Sequence, residues 1–291
     1  MNRRHDVYDG DMCRPAVPQL GVATVLVLVA AHAALGAASG VVWQPLQPGV
    51  DYAVLDLRDE GSGPAVDSRL HVVRIDPARA PVVAAVASSG DHRQRTAAQW
   101  CGDRSLAVAI NLGMYREDKL TNVGHAHMPG HANNATWSKS YKSALAFAPT
   151  SKALPAAVMV DLDADGAMER LAPYGAVVQN LRLIRAPGQG VWGKQARRWS
   201  EAAVAVDKQG HVLFIFSRHP YSMQDLNAKL LALPLGITNA MHVEGGPEAS
   251  LSIHAGGVDL DLNGSYETGS NENDGEQAQW PIPNVLGVAR K

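Results

Sequence analysis

The stretch AMHVEGGPEASL, residues 240–251, constrains this chain more than any other. An apolar run with strand character stops at Glu244, and Gly245 and Gly246 allow the backbone to turn tightly before a second apolar run leads away. Such a junction holds a carboxylate at a strand end. Residues 106–110 (LAVAI) run in the same manner into Asn111-Leu112-Gly113-Met114-Tyr115. If the two runs are neighbouring strands ending on one side, Asn111 and Glu244 meet in the crevice where α/β sheets keep their chemistry.

The surrounding pattern supplies the elements. Residues 201–216 read as the clearest hairpin: Val204 and Val206 alternate with small residues, Asp207-Lys208-Gln209-Gly210 makes the turn, and residues 212–216 return. Ser222 opens a helix with Asp225 three residues later, and Leu226, Leu230 and Leu233 form its buried face. Pro234 and Gly236 end it, and residues 237–243 deliver Glu244. Upstream, residues 54–57, 70–75, 81–87, 141–148 and 176–184 read as strands, residues 285–289 as a last one, and Thr96 as the N-cap of a short helix. Residues 256–279, rich in Gly, Asn, Asp and Glu, read as a mobile loop. The predicted class is α+β or mixed α/β: a single catalytic-type domain built on a central mixed β-sheet with flanking helices.

Residues 20–36 are apolar except for Thr24 and His32, too short for a comfortable membrane span, and followed by Ala37, Ala38 and Ser39. This predicts an export signal over residues 1–38. Arg3 and Arg4 are offset by Asp6, Asp9 and Asp11, so Met12 is the expected start. The protein is then periplasmic or extracellular, and only an uncleaved leader would tie it to a membrane. Residues 39–104 form a strand-rich first part, and residues 105–291 carry the functional features. With 26 basic against 28 acidic side chains, no global positive field exists to attract nucleic acid. Cleavage would remove Cys13, leaving Cys101 as a buried, inert thiol in a chain with no internal disulfide.

Three motifs suggest ligands. His125, His127 and His131 have a spacing that suits a transition metal, or else line a polar loop. Asp161, Asp163 and Asp165 before Gly166 match the first half of a calcium loop, although Ala172 occupies the twelfth position; a strand-turn-strand with a polar tip explains them equally. Trp192 and Trp199 flank Lys194, Arg197 and Arg198, an arrangement for an anionic sugar or for an exposed basic loop anchored by its indoles.

Taken in order, these features resemble the phosphodiester glycosidase family. Its Asn-Gly-Gly-Phe-Phe strand end is matched by Asn111, Gly113 and Tyr115, and its Gln-Asn-x-x-Leu-Ile strand by Gln179-Asn180 with Leu183-Ile184. Its closing Asp-Gly-Gly-Gly-Ser-Thr falls on Glu244-Gly245-Gly246-Pro247-Glu248-Ala249, keeping the acid and two glycines. Its Arg-Thr-Ala falls on Glu201-Ala202-Ala203, so the arginine is replaced. The resemblance implies hydrolysis of a glycosidic bond to phosphate in a glycan or glycolipid, with no cofactor required. Glu244 would be the acid, base or nucleophile, Glu248 or Glu201 the second carboxylate, and Asn111 a ligand of sugar hydroxyls or water, or a brace of the turn. Arg182 or Arg198 would hold phosphate, and Gly113, Tyr115, Gln179, Trp199, Gly245 and Gly246 would line the substrate site. Two other functions fit the motifs: a non-catalytic glycan-phosphate binding protein of envelope or exopolysaccharide machinery, and a metal-dependent phosphoesterase using the three histidines.

Overall fold

Paired segments such as 71–75 and 212–216 are rich in β-branched and aromatic side chains, whose stiff rotamers a pleated backbone accommodates on both faces. In the computed structural model, which describes residues 40–57 and 67–291, the paired segments form seventeen strands. The first five are β1 (Gln44–Gln47), β2 (Val50–Asp56), β3 (Arg69–Ile75), β4 (Val82–Val86) and β5 (Leu106–Asn111). Next come β6 (Ala126–Met128), β7 (His131–Asn134), β8 (Ser143–Pro149), β9 (Ala157–Asp161), β10 (Tyr174–Arg185) and β11 (Gln189–Gly190). The last six are β12 (Trp199–Asp207), β13 (Val212–Tyr221), β14 (Ile237–Gly245), β15 (Ser250–Ala255), β16 (Val258–Asn263) and β17 (Asn284–Ala289). The predicted leader, residues 1–38, and the start at Met12 lie outside the described residues.

One sheet runs β1-β2-β3-β13-β12-β14-β10-β6-β7, with β8 and β11 also on β10 and β9 on β8; the other runs β16-β15-β5-β17-β4. The expected mixed sheet is corrected here, since the strand pairings among the described residues are antiparallel. The fold is sheet-dominated. Val73, Val204, Phe216, Met241 and Val243 of the first sheet pack with Val108, Ile110, Leu251 and Leu286 of the second in one core. Ala203, Ala205, Leu213 and Ile215 bury the opposite face of the first sheet against α3 (Met223–Ala232). Strands β12 and β13 are therefore covered on both sides.

The helices are short. Thr96 caps α1 (Ala97–Asp103) in a full capping box with Gln99, as its position predicts. Thr96→Ala is expected to cost about 1 kcal/mol in chemical denaturation. Cys101 is buried there, and burial pushes its thiol up to about 12, which keeps it inert. The five-residue α2 (Ala167–Leu171) covers β8 and β9. Ser222 caps α3 by accepting from the Asp225 N–H, again as predicted. Residues 256–279 are more ordered than their composition suggests. They contain β16, and the Arg218 guanidinium grips the end of that strand and the segment beyond it, donating to Asn263 O, Asp274 Oδ1 and Glu276 O at 2.7–2.8 Å.

Candidate active site

Glu244 and Gly245 end β14, and a single turn over Gly246–Glu248 leads into β15, so this junction carries the chain from the first sheet to the second. Pairing with β12 is bulged at this point: Ala203 lies opposite His242, and Ala202 opposite Glu244. Glu244 is only 8% exposed, and its Oε1 accepts the Gly245 N–H at 3.2 Å. Burial raises its pKa to about 8; His242 pulls it back, and the neighbouring Glu248 pushes it further up. The carboxyl therefore keeps its proton at neutral pH. The partly exposed Glu248 is also raised by burial, with Glu267 and Glu276 adding like charge. Tyr115 and Tyr141 stand in the same field: burial raises both phenols, and the charge of Glu244 raises them further.

Asn111 reaches this turn, though not from a neighbouring strand. β5 lies in the second sheet beside β15, and the Asn111 amide bridges the crossing by donating to Glu248 O at 2.9 Å and accepting from Ser250 N at 2.8 Å. Its role here is to brace the turn. Asn111→Ala would leave a buried N–H without its partner, and is expected to lower stability by about 2–3 kcal/mol in urea denaturation. Asn180 donates to Leu112 O at 2.9 Å and packs with Asn122 against Gly113, where a Cβ would lie 2.5 Å from Asn180 Oδ1 and 2.7 Å from Asn122 Oδ1. Gln179 donates to Ser138 O and Tyr141 O and accepts from His125 N and Ser138 N. Gly113 and Gln179, expected against substrate, are thus devoted to shaping the loops that carry Tyr115 and Tyr141.

Glu201 is 1% exposed and fully engaged. His242 Nδ1 lies 2.8 and 2.9 Å from its two oxygens, and the Trp199 indole donates to Oε2 at 2.8 Å. Burial would lower the pKa of His242, but the charge and hydrogen bond of Glu201 outweigh it and the imidazole is raised. Burial raises Glu201 as well, against the pull of His242 and Trp199. The geometry backs the imidazole's shift, because an indole can only donate and the facing oxygen must accept. Gly245 leaves room for Trp199, whose Cδ1 would lie 2.7 Å from a Cβ there, and Gly246, at φ +64°, leaves room for Glu267. Both glycines give clearance around the acid.

The phosphodiester glycosidase family model matches residues 104–289. The chain belongs to the phosphodiester glycosidase family. Among solved structures, the zebrafish N-acetylglucosamine-1-phosphodiester alpha-N-acetylglucosaminidase catalytic domain, described as auto-inhibited by its pro-peptide, is similar at TM-score 0.57 and 15% identity. That likeness covers 85% of this chain and 84% of the zebrafish one. A hypothetical protein from Synechocystis is similar at TM-score 0.53 and 15% identity, over 84% of this chain and 64% of its own. These likenesses show the fold. No protein of curated function matches the sequence.

In this member of the phosphodiester glycosidase family several predicted residues lie elsewhere. Arg182 is held by Asp161 at 2.6 Å and Asp163 at 3.0 Å, and Lys142 pairs with Asp163 at 3.0 Å. This corrects both the phosphate role of Arg182 and the calcium loop, since protein cations occupy the carboxylates and Asp165 is exposed before α2. The exposed Arg198 lines a separate cleft with Ser222, Asp225 and Lys229. The histidine metal site is corrected too. His125 Nε2 and His127 Nδ1 share a hydrogen bond at 2.7 Å, His125 stacks on Trp137, and His131 bonds to Ser88 Oγ at 2.8 Å. The described residues contain no group of three or more His, Cys, Asp or Glu placed for a metal. Three site residues were missed: His242, Tyr141 and Glu267. A histidine between Met241 and Val243, two positions before the acid, was the only signal for the first.

Proposed function

We propose that this chain hydrolyses the bond between a sugar anomeric carbon and a phosphate oxygen in a glycan or glycolipid outside the cytoplasm. The observation that carries the proposal is Glu244, a carboxyl at a strand end whose burial favours its protonated form, beside a second, more exposed carboxylate. Environments that separate two carboxyls in this way assign an acid and its partner. Glu244 donates its proton to the bridging oxygen as the C–O bond breaks, and the phosphate leaves. Glu248 accepts a proton from water as that water attacks the oxocarbenium-like carbon. Phosphate is already a good leaving group, so much of the gain comes from charge stabilisation around the sugar.

The pH dependence comes from the sign of the shift. Since the acid must be protonated, kcat/KM is expected to fall as pH rises through about 8. The test is incubation with a glycosyl phosphodiester in isotopically labelled water, followed by mass analysis of the products. Label in the sugar supports the proposal. Label in the phosphate, or no turnover at all, rejects it. One observation favours a binding protein instead: Glu201, where the family pattern has arginine, is committed to His242. Calorimetric binding of the diester without product release would select that reading.

A further inference from the structure

If substrate phosphate comes to Glu244, some cation must receive it. Of the two arginines expected there, Arg182 is spent on Asp161 and Asp163, and Arg198 lines a cleft with Ser222, Asp225 and Lys229. Around the acid stand Glu201, Glu248 and Glu267, and two side-chain cations that reach this cluster are each set against one of its carboxylates, Arg197 at 3.8 Å from Glu267 and Lys119 acting on Glu248. The anion of a phosphodiester would be repelled from such a cluster without a compensating charge.

His242 is the group built to supply it. Nδ1 is fixed by both oxygens of Glu201, which the Trp199 indole also holds, and the Trp199 ring lies edge-on to the imidazole at 5.9 Å. Carboxylate and imidazole are both almost wholly buried, so the pair is rigid and poorly screened. Nε2 has no hydrogen-bond partner among the described residues, and it is not one of the sealed, unpartnered atoms. One nitrogen is thus anchored, and the other has no protein partner among the described residues. The charged groups that act on the ring are Glu201 from β12, Glu244 from its own strand, and Glu267 from the segment after β16. Leu181 of β10, the cross-strand neighbour, adds none.

We propose that His242, anchored by the buried Glu201, is the cationic group that receives the substrate's phosphate through its Nε2–H. This rests on the glycosyl phosphodiester reading of the site and names the group that such a substrate requires. Glu201 is then a positioning residue, acting through the imidazole. Binding would weaken as the imidazolium loses its proton, so phosphate affinity should fall with rising pH.

Calorimetry with inorganic phosphate tests the assignment independently of turnover. The purified chain should bind phosphate, and His242→Gln should weaken binding by about ten- to a hundredfold, the range of a lost charged hydrogen bond. With the diester, KM should rise by a similar factor and kcat change less. Glu244→Gln should lose turnover and still bind phosphate, whereas His242→Gln should lose the binding itself, so failure of the acid assignment and failure of this one are read separately. Removing the imidazole alone strands Glu201 in the core. Should that variant not fold, Glu201→Gln with His242→Gln restores a neutral hydrogen-bonded pair and must show the same loss. Unchanged phosphate affinity in either folded variant, or no phosphate binding by the unaltered chain, overturns the proposal.

Discussion

Glu244→Gln is expected to lower kcat for a glycosyl phosphodiester by about 10²–10⁴-fold, the worth of one positioned proton donor, while making the protein more stable at alkaline pH. The stability change is a matter of linkage. Below pH 4.5 the carboxyl is protonated whether the chain is folded or unfolded. Between 4.5 and about 8 only the folded state retains the proton, so stability falls as pH rises; above that range both states are ionised and the full penalty stands. A rise of this size corresponds to at most about 4–5 kcal/mol. Glutamine cannot ionise, so the advantage of the variant should be near nil in acid and grow towards that limit in base. Thermal melts of both proteins across this pH range would show it. Parallel pH profiles would mean that Glu244 ionises as freely as a surface carboxylate and cannot serve as a buried acid.

Gly264→Ala should be among the most damaging small substitutions in the described residues. A Cβ at this position would lie 2.0 Å from Gly246 O, 2.9 Å from the Ser200 Cβ and 3.1 Å from the Ala249 Cβ. The first neighbour is backbone belonging to the turn after Glu244, and Gly264 N is itself tied to Ala249 O at 2.8 Å. Neither side can yield without moving the acid. Overpacking of this kind costs about 1–3 kcal/mol and sometimes more, so the expected outcome is a loss at or above the top of that range, with turnover falling alongside it. Gly102→Ala is the matched control. It lies in α1 with nothing within 4 Å of its added Cβ, so the exchange should stabilise the helix by up to about 1 kcal/mol. Equal denaturation midpoints for the two variants would show that the close approach at Gly264 is relieved at no cost.

What the residues reveal by themselves is mostly local. Thr96 and Ser222 announce helix starts because a hydroxyl three residues before a free N–H is a short-range bond, and the Asp207–Gly210 turn is legible for the same reason. The strand run into Glu244 is equally clear. Pairing direction and partner are long-range and leave little trace. Asn111 does meet the turn after Glu244, but from across two sheets, because β15 returns beside β5. Glu201 illustrates the limit best. In the hairpin pattern it is one more polar residue at a strand entrance, and only the register of β12 on β14 brings it to His242. The histidine and aspartate spacings misled in a related way. Spacing says which side chains can converge, whereas Ser88, Lys142 and Arg182, distant in sequence, decide where they go.

The chain changes layers three times: between β3 and β4, between β5 and β6, and between β14 and β15. The second and third of these passages start at Asn111 and Glu244, run in opposite directions, and are stitched together by the amide of Asn111 on Glu248 O. The acid therefore rides on a rivet between the two layers. Neither layer can slide over the other without dragging the carboxyl along, so a molecule gripped there stiffens the whole sandwich as well as its own surroundings.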